Sequence, residues 1–173
     1  SAWDAANSGV TAIFEKGIEK TGAGTLNIDW QYGSSNESHT GAIVVKEGTL
    51  NMTGTCVGNP SPKLTFTGGI EVKENAEYNL TLASGFTIGK QDKPVAVVVH
   101  KDAEFNLTIA GGLTLGHANN AGAVEVKENA EYNLKLASAS TLNSNFTGKG
   151  KVTVGLNGTT GQHEINGDNS AFA

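Results

Sequence analysis

The stretch Ile70-Glu-Val-Lys-Glu-Asn-Ala-Glu-Tyr-Asn-Leu-Thr-Leu-Ala83 decides the fold, because it occurs three times in this chain. It returns with substitutions at 97–110 and almost unchanged at 124–137. The same constant step separates four valines, Val45, Val72, Val99 and Val126. A fixed period of this length, about 27 residues, is the signature of stacked-repeat architectures, in which each repeat packs on its neighbours.

Apolar residues fall into columns when the copies are superposed at this period. The columns are 70/97/124, 72/99/126, 78/105/132, 80/107/134, 82/109/136, 86/113 and 88/115/142. Columns two positions apart indicate β-strands, and their three groups indicate three short strands per repeat. Asn75, Asp102 and Asn129 fall at the corner after the first strand, where positive φ is tolerated, and Gly89 and Gly116 fall at a later bend. The sequence therefore predicts an all-β fold, a right-handed parallel β-helix (solenoid) with about 27 residues per coil.

The repeat predicts one β-helix segment over residues 1–173. Its coils are 1–38 (irregular), 39–68 (with a loop), 69–95, 96–122 and 123–150 (regular), and 151–173 (degenerate). In this alignment Val152 and Val154 continue the columns of Val124 and Val126 after a step slightly longer than the period. Because no polar cap ends the pattern, we expect the chain to be a fragment of a longer protein.

Composition limits the partners. The net charge is −5 and all twelve basic residues are lysine, so we expect no nucleic-acid partner. The apolar runs are too short for a transmembrane segment. The single Cys56 rules out an internal disulfide framework, which leaves a small buried side chain or a reactive thiol as alternatives.

The outward columns carry the candidate functional residues. Asn79, Asn106 and Asn133 form a predicted polar ladder, beside a like-charge column of Glu77, Glu104 and Glu131. These six residues are the candidate association surface. The glutamate column leaves two alternatives open, a weak Ca²⁺ site and a solvated face. A third column, Glu74, Lys101 and Glu128, alternates in sign, so we expect opposite charges to meet there between coils.

No catalytic constellation is visible in the sequence. β-Helical polysaccharide lyases use Arg or Lys near a Ca²⁺-binding Asp cluster, and the hydrolases need paired carboxylates. Arg is absent, and Val98 lies between Glu71 and Glu125 in the stack, which places these two carboxylates two coil spacings apart. The four histidines show no metal-ligand spacing. We therefore predict no enzyme activity, no catalytic residue, no metal site and no cofactor.

A family resemblance adds to this prediction. Lys20-Thr-Gly-Ala-Gly-Thr-Leu26, followed after a spacer by Thr40-Gly-Ala-Ile-Val-Val-Lys-Glu-Gly-Thr-Leu50, resembles the passenger-associated repeat of bacterial autotransporters. The resemblance implies a passenger that a C-terminal outer-membrane translocator barrel carries to the bacterial cell surface, where it stays displayed or is secreted. It implies a non-catalytic structural or adhesive role, as a rigid stalk and a surface for self-association or for contact with host glycans or proteins.

Two other functions remain open at this stage. A glycan-binding β-helix is the first alternative, with Trp30 and Tyr32 either stacking on sugar rings or packing in the core. A polysaccharide lyase or hydrolase is the less favoured alternative.

Overall fold

The computed structural model describes residues 16–32, 37–56, 64–83, 85–89, 96–116, 122–156 and 163–166. These residues form seventeen β-strands and no helix. Residues 1–15 of the predicted first coil, and 157–162 and 167–173 of the predicted last coil, lie outside them. Neighbouring strands are parallel throughout this part of the chain, and most are separated in sequence by one repeat period. The predicted parallel β-helix is therefore confirmed.

The strands build three faces. The first face holds β1 (Ile18–Lys20), β4 (Ile43–Val45), β7 (Ile70–Val72), β10 (Val97–Val99) and β13 (Gly122–Val126). The second face holds β2 (Thr25–Tyr32), β5 (Thr49–Cys56), β8 (Glu77–Leu82), β11 (Glu104–Ile109), β14 (Glu131–Leu136) and β16 (Lys151–Leu156). The third face holds β3 (Glu37–His39), β6 (Leu64–Phe66), β9 (Phe86–Ile88), β12 (Leu113–Leu115), β15 (Ser140–Thr147) and β17 (His163–Asn166).

Alternation along each strand separates the core from the surface. In β8, Tyr78, Leu80 and Leu82 are buried, whereas the residues between them point outward. The three-residue strands β4, β6, β7, β9, β10 and β12 bury their two end residues and expose the middle one to a greater degree. Because equivalent residues pair in register from coil to coil, one apolar core runs through the stack.

Aromatic rings stack along the centre of this core. The ring of Phe105 lies between those of Tyr78 and Tyr132, with centroids 4.9 Å apart on both sides and interplanar angles of 6° and 5°. The Tyr78 hydroxyl donates to Sδ of Met52 at 3.3 Å. The Tyr132 hydroxyl is buried and has no hydrogen-bond partner among the described residues. The two tyrosines of the column thus differ, because the Tyr78 hydroxyl makes a hydrogen bond and the Tyr132 hydroxyl makes none to the described residues.

The corner between the first and second faces repeats one backbone conformation. The φ angles of Asn75, Asp102 and Asn129 are 59°, 57° and 59°. The residue after each donates its N–H back across the turn, as Ala76 does to the carbonyl of Lys73 at 3.0 Å. The predicted positive φ is confirmed, and Asn and Asp occur there because their side chains tolerate this region.

Coil length changes after the third regular repeat. Residues Ile43, Ile70, Val97 and Val124 pair at the constant period, but Val124 pairs next with Phe146, which comes earlier in the chain than that period requires. In this last step Leu142 pairs with Leu115, and Ser144 pairs with Gly122. The connection between these two paired positions is therefore six residues, 116–121, in one coil and a single residue, Asn143, in the next. As a result β15 continues from the third face onto the first and joins them in one 11-stranded sheet.

The shortened coil corrects one alignment made from the sequence. Val152 and Val154 do not continue the columns of Val124 and Val126, so that prediction is wrong. They lie in β16 on the second face, where Val152 pairs with Tyr132 and Val154 pairs with Leu134. The apolar spacing of two is the same on both faces, and the shorter connection shifts the chain from one face to the next.

Candidate functional site

Nine outward residues of three neighbouring strands form the candidate site, which we call the polar face. Strands β8, β11 and β14 pair residue for residue, so their outward side chains form three straight columns. The columns are Glu77, Glu104 and Glu131, then Asn79, Asn106 and Asn133, then Thr81, Thr108 and Lys135. The structure therefore brings all six predicted association residues together.

The asparagine column is a continuous chain of side-chain hydrogen bonds. The Nδ2 group of Asn79 donates to Oδ1 of Asn51 at 2.8 Å, and Asn106 donates to Asn79 at 2.8 Å. Asn133 donates to Asn106 at 3.0 Å, and Asn51 donates to Asn27 at 2.7 Å. All four bonds run in the same direction along the stack, so the ladder extends over five coils.

Two members of this ladder, Asn27 and Asn51, were missed by the sequence analysis. The steps from Asn27 to Asn51 and from Asn51 to Asn79 are 24 and 28 residues, so an alignment at a constant period does not place them in the asparagine column. The available signal was local, because Thr-Leu-Asn occurs both at 25–27 and at 49–51.

The amide groups use their second hydrogen within the same coil. Asn79 donates to Oε1 of Glu77 at 2.8 Å, and Asn106 donates to Oε1 of Glu104 at 2.9 Å. Asn133 donates to Oε2 of Glu131 at 3.3 Å. An asparagine amide has two N–H donors, and in Asn79, Asn106 and Asn133 both are engaged. The polar face therefore presents acceptors on its glutamate side and keeps its free donors in the column of threonines and Lys135.

The glutamate column has a donor at each end. The Thr49 hydroxyl donates to Oε2 of Glu77 at 3.2 Å, and Nζ of Lys151 lies 3.4 Å from Oε1 of Glu131. The three carboxylates stand in file, one per coil, at a spacing of about 4.8 Å. Within the described residues no three His, Cys, Asp or Glu side chains converge as metal ligands would.

Charged contacts between coils occur on the first face. The predicted contacts along Glu74, Lys101 and Glu128 are wrong, since Lys101 pairs instead with its neighbour Asp102 at 3.6 Å. All three side chains are exposed.

The cross-coil network is centred on Glu71. Its Oε1 accepts from Nζ of Lys73 at 2.5 Å and lies 2.7 Å from Nε2 of His100. Nζ of Lys127 lies 3.4 Å from Nδ1 of the same histidine, and one tautomer, with hydrogen on Nε2, satisfies both contacts. The hydrogen bond from Lys73 holds the pKa of Glu71 below its usual value. The register places Val98 between Glu71 and Glu125, as the sequence predicted.

The two aromatic residues considered for sugar stacking lie in the core. Trp30 is 2% exposed and Tyr32 is 1% exposed. A Cβ atom at Gly54 would meet the Trp30 ring at 2.7 Å, so glycine in the next coil makes room for the indole. The core alternative is therefore correct, and neither ring can stack on a ligand.

Lys20 and His39 are two of the five polar residues buried in the described part of the chain, and the sequence analysis predicted neither in an inward column. Lys20 pairs with Val45 and is 5% exposed, and its Nζ donates to the carbonyls of Thr21, Gly22 and Glu47 at 3.2, 2.5 and 2.9 Å. The step from Lys20 to Val45 is shorter than the step between the regular coils, so a constant period conceals this alignment.

The second of these residues is His39. It pairs with Phe66 and contacts the Phe66 ring edge to face, with centroids 5.1 Å apart. Burial lowers the pKa of His39 to about 4, so the imidazole is neutral over most of the pH range.

A shallow groove of about 310 Å³ borders the polar face beyond the threonine column. Its floor consists of small residues at the ends of successive second-face strands, Ala83, Ala110 and Ala137. Leu82 and Ile109 also line it, although their side chains are buried, and Thr81 and Thr108 line the side shared with the polar face.

Comparisons with known protein families, with curated proteins and with solved structures find nothing that matches this chain. In the part of the chain that the structure describes, no helix has the length and apolar character needed to cross a membrane.

Proposed function

We propose that this chain is a non-catalytic structural and adhesive segment of a surface-displayed, autotransporter-like protein, with the polar face as its contact surface. The resemblance over 20–54 supports the assignment to a passenger. In that setting the parent's outer-membrane translocator barrel carries the segment to the bacterial cell surface.

The observation that carries the proposal is the hydrogen-bonded ladder from Asn27 to Asn133. Each amide is fixed by one bond to the neighbouring coil, and the last three are also fixed by a bond to the glutamate of their own coil. Side chains that are already ordered lose little conformational entropy when they bind a partner. A preorganised row of polar groups on a regular stack suits repeated, extended contacts.

The stack itself supports a role as a stalk. Buried apolar columns continue from coil to coil without a polar interruption between β4 and β14. Each coil therefore packs on two neighbours, and bending the rod would open apolar contacts on one side.

The chemistry of the polar face favours partners that supply donors to its glutamate side and acceptors to its threonine side. Protein surfaces and glycans of the host, or another copy of the chain, offer such groups. Glu71, the carboxylate with a lowered pKa, is bonded to Lys73 and His100, which favours a structural role for it over proton transfer.

A bead assay tests this function. Beads coated with the chain should aggregate with each other or bind an immobilised layer of host-surface glycoproteins and glycans. The double variant Thr81→Glu, Thr108→Glu replaces two donors of the polar face by carboxylates and should abolish adhesion. The matched control Thr65→Glu, Thr87→Glu places the same change on the third face and should retain it. Parent beads that adhere to neither target, or equal losses in both variants, would refute the proposed contact surface.

A further inference from the structure

The columns of the polar face have a fixed order that gives it two unlike edges. On each of three strands, a glutamate precedes the asparagine by two positions and a donor follows it by two positions. The donor is Thr81 in β8, Thr108 in β11 and Lys135 in β14. Because the three residues of a set belong to one strand, they lie at the same level of the stack. Acceptors therefore line one edge of the asparagine column and donors line the other.

Symmetry determines how such a face can meet a copy of itself. A two-fold axis that runs along the asparagine column, parallel to the stack, exchanges the two edges. Glu77 then faces Thr81 of the second copy, Glu104 faces its Thr108, and Glu131 faces its Lys135. A two-fold axis across the stack keeps each edge on its own side, so glutamates face glutamates. Only the first arrangement matches charge and hydrogen-bonding groups.

We propose that the polar face binds a second copy of this chain, side by side, pointing in the same direction and with equivalent coils at the same level. The inference rests on the proposed function, because it takes the polar face as a contact surface, and it adds the partner and its orientation. The Glu131 to Lys135 pairs are its ionic contacts, and they occur twice in the dimer. The threonine hydroxyls donate to the remaining carboxylates.

The groove beside the threonine column fits the same arrangement. Its floor residues Ala83 and Ala110 lie four positions after Asn79 and Asn106, and the corner residues Asn75 and Asp102 lie four positions before them. The two-fold axis therefore brings the corner of each copy toward the groove of the other. An exposed corner facing a groove floored by alanine gives a shape match on both sides of the ladder.

Charge exchange at one position pair tests the contact. The dissociation constant is measured by sedimentation velocity in a Cys56→Ser background, so that no disulfide joins the copies. Lys135→Glu and Glu131→Lys should each weaken the dimer about tenfold or more, because each change acts twice in a symmetric dimer. The double variant Glu131→Lys, Lys135→Glu restores opposite charges and should return to within about threefold of the parent. Glu125→Lys, exposed on the first face, is the control and should leave the dissociation constant unchanged.

Disulfide trapping tests the orientation. Asn79→Cys and Asn133→Cys are prepared separately in the same background, and a melting curve checks that each is folded. In the proposed dimer both positions lie on the two-fold axis, so both variants should cross-link to themselves. In an antiparallel dimer at most one of them can.

The outcomes separate this inference from the proposed function. Association with antiparallel cross-links overturns the orientation but keeps the polar face as a contact surface. A monomer at every concentration overturns the second copy as the partner. Adhesion of the beads to the host layer, with loss in the Thr81→Glu, Thr108→Glu variant, would then still support the proposed function with a host partner. A double variant that dimerises no more tightly than either single variant also overturns the pairing of Glu131 with Lys135.

Discussion

Removal of one hydroxyl from the aromatic stack should make the protein more stable. Tyr132 is fully buried, and its hydroxyl has no hydrogen-bond partner among the described residues. A buried polar group without a partner costs about 1–3 kcal/mol in desolvation. Tyr132→Phe leaves the ring against Phe105 at 4.9 Å and removes only the oxygen. We therefore expect the free energy of unfolding to rise by about 1–2 kcal/mol.

Tyr78 provides a control in the same column. It is equally buried and stacks on the other side of Phe105, but its hydroxyl donates to Sδ of Met52 at 3.3 Å. A thioether is a weak acceptor, so Tyr78→Phe removes a weak hydrogen bond and, at the same time, the desolvation cost of the buried hydroxyl. These two effects oppose each other, and we expect the free energy of unfolding to change by less than about 0.5 kcal/mol. The two variants differ from the parent by the same single atom.

Urea unfolding followed by circular dichroism measures the difference. The comparison is valid if the dependence of the unfolding free energy on urea is the same for all three proteins. Destabilisation by Tyr132→Phe, or equal gains in both variants, would refute the account of the Tyr132 hydroxyl as an unsatisfied group. A second measurement uses pH, since burial raises the pKa of both tyrosines above the ordinary value near 10. The folded state then favours the neutral phenol, so stability should fall as pH rises above about 10, and less steeply in each Phe variant.

Three further predictions concern a bend, a buried base and the glutamate column. Gly116→Ala should destabilise the protein by about 1–3 kcal/mol in the same urea assay, because φ is 73° and a Cβ would meet the carbonyl oxygen of Asn143. The control Gly24→Ala places its Cβ in open space and should be neutral or slightly stabilising. The pKa of His39, lowered from 6.5 to about 4, favours the neutral imidazole in the folded state; stability should therefore fall by about 3 kcal/mol between pH 6.5 and 4, and His39→Leu should flatten this profile. A parent profile that is already flat would contradict that assignment. Glu104→Gln relieves repulsion from two carboxylate neighbours and should be neutral or slightly stabilising at low salt; a loss above about 1 kcal/mol in thermal or urea unfolding would show that its charge is needed.

The inward columns and the corners could be predicted from the sequence because their constraints are local. Tyr78, Phe105 and Tyr132 alternate with polar residues at strand spacing, which fixes their side of the strand without knowledge of the rest of the fold. Asn75 and Asn129 mark positive φ because few other residues tolerate it. The polar face followed from the same register, since residues between inward columns must point outward.

The errors in strand pairing arise where coil length varies. Loops can lengthen or shorten at little cost in free energy, whereas strand pairing depends on contacts between neighbouring side chains. The chain keeps Asn27 and Asn51 in the ladder through steps of 24 and 28 residues, and it moves Val152 to another face through a shortened loop. A constant period describes the regular coils, but it does not determine pairing in the coils at either side.

The sequence pattern alone could not decide whether Trp30 and Tyr32 pack in the core or stack on a ligand. Trp30 alternates correctly for the core, yet an indole at that level needs space that the neighbouring coil must provide. The space comes from Gly54, which stands opposite it. Complementarity between coils is a three-dimensional property, and the shorter step between these two coils hid this pair from the alignment.

The hydrogen-bonded asparagine ladder makes the coil an interchangeable unit. Each asparagine offers a donor on one side and an acceptor on the other, so a duplicated or deleted coil of 27 residues leaves no amide without a partner at the junction. Recombination between copies such as 70–96 and 97–123 could therefore change the length of the rod in increments of about 4.8 Å without new compensating substitutions. Each added coil also extends the file of glutamates by one negative charge. Repulsion within that file, offset by an opposite charge only at Lys151, would be the quantity that limits how many identical coils can be inserted.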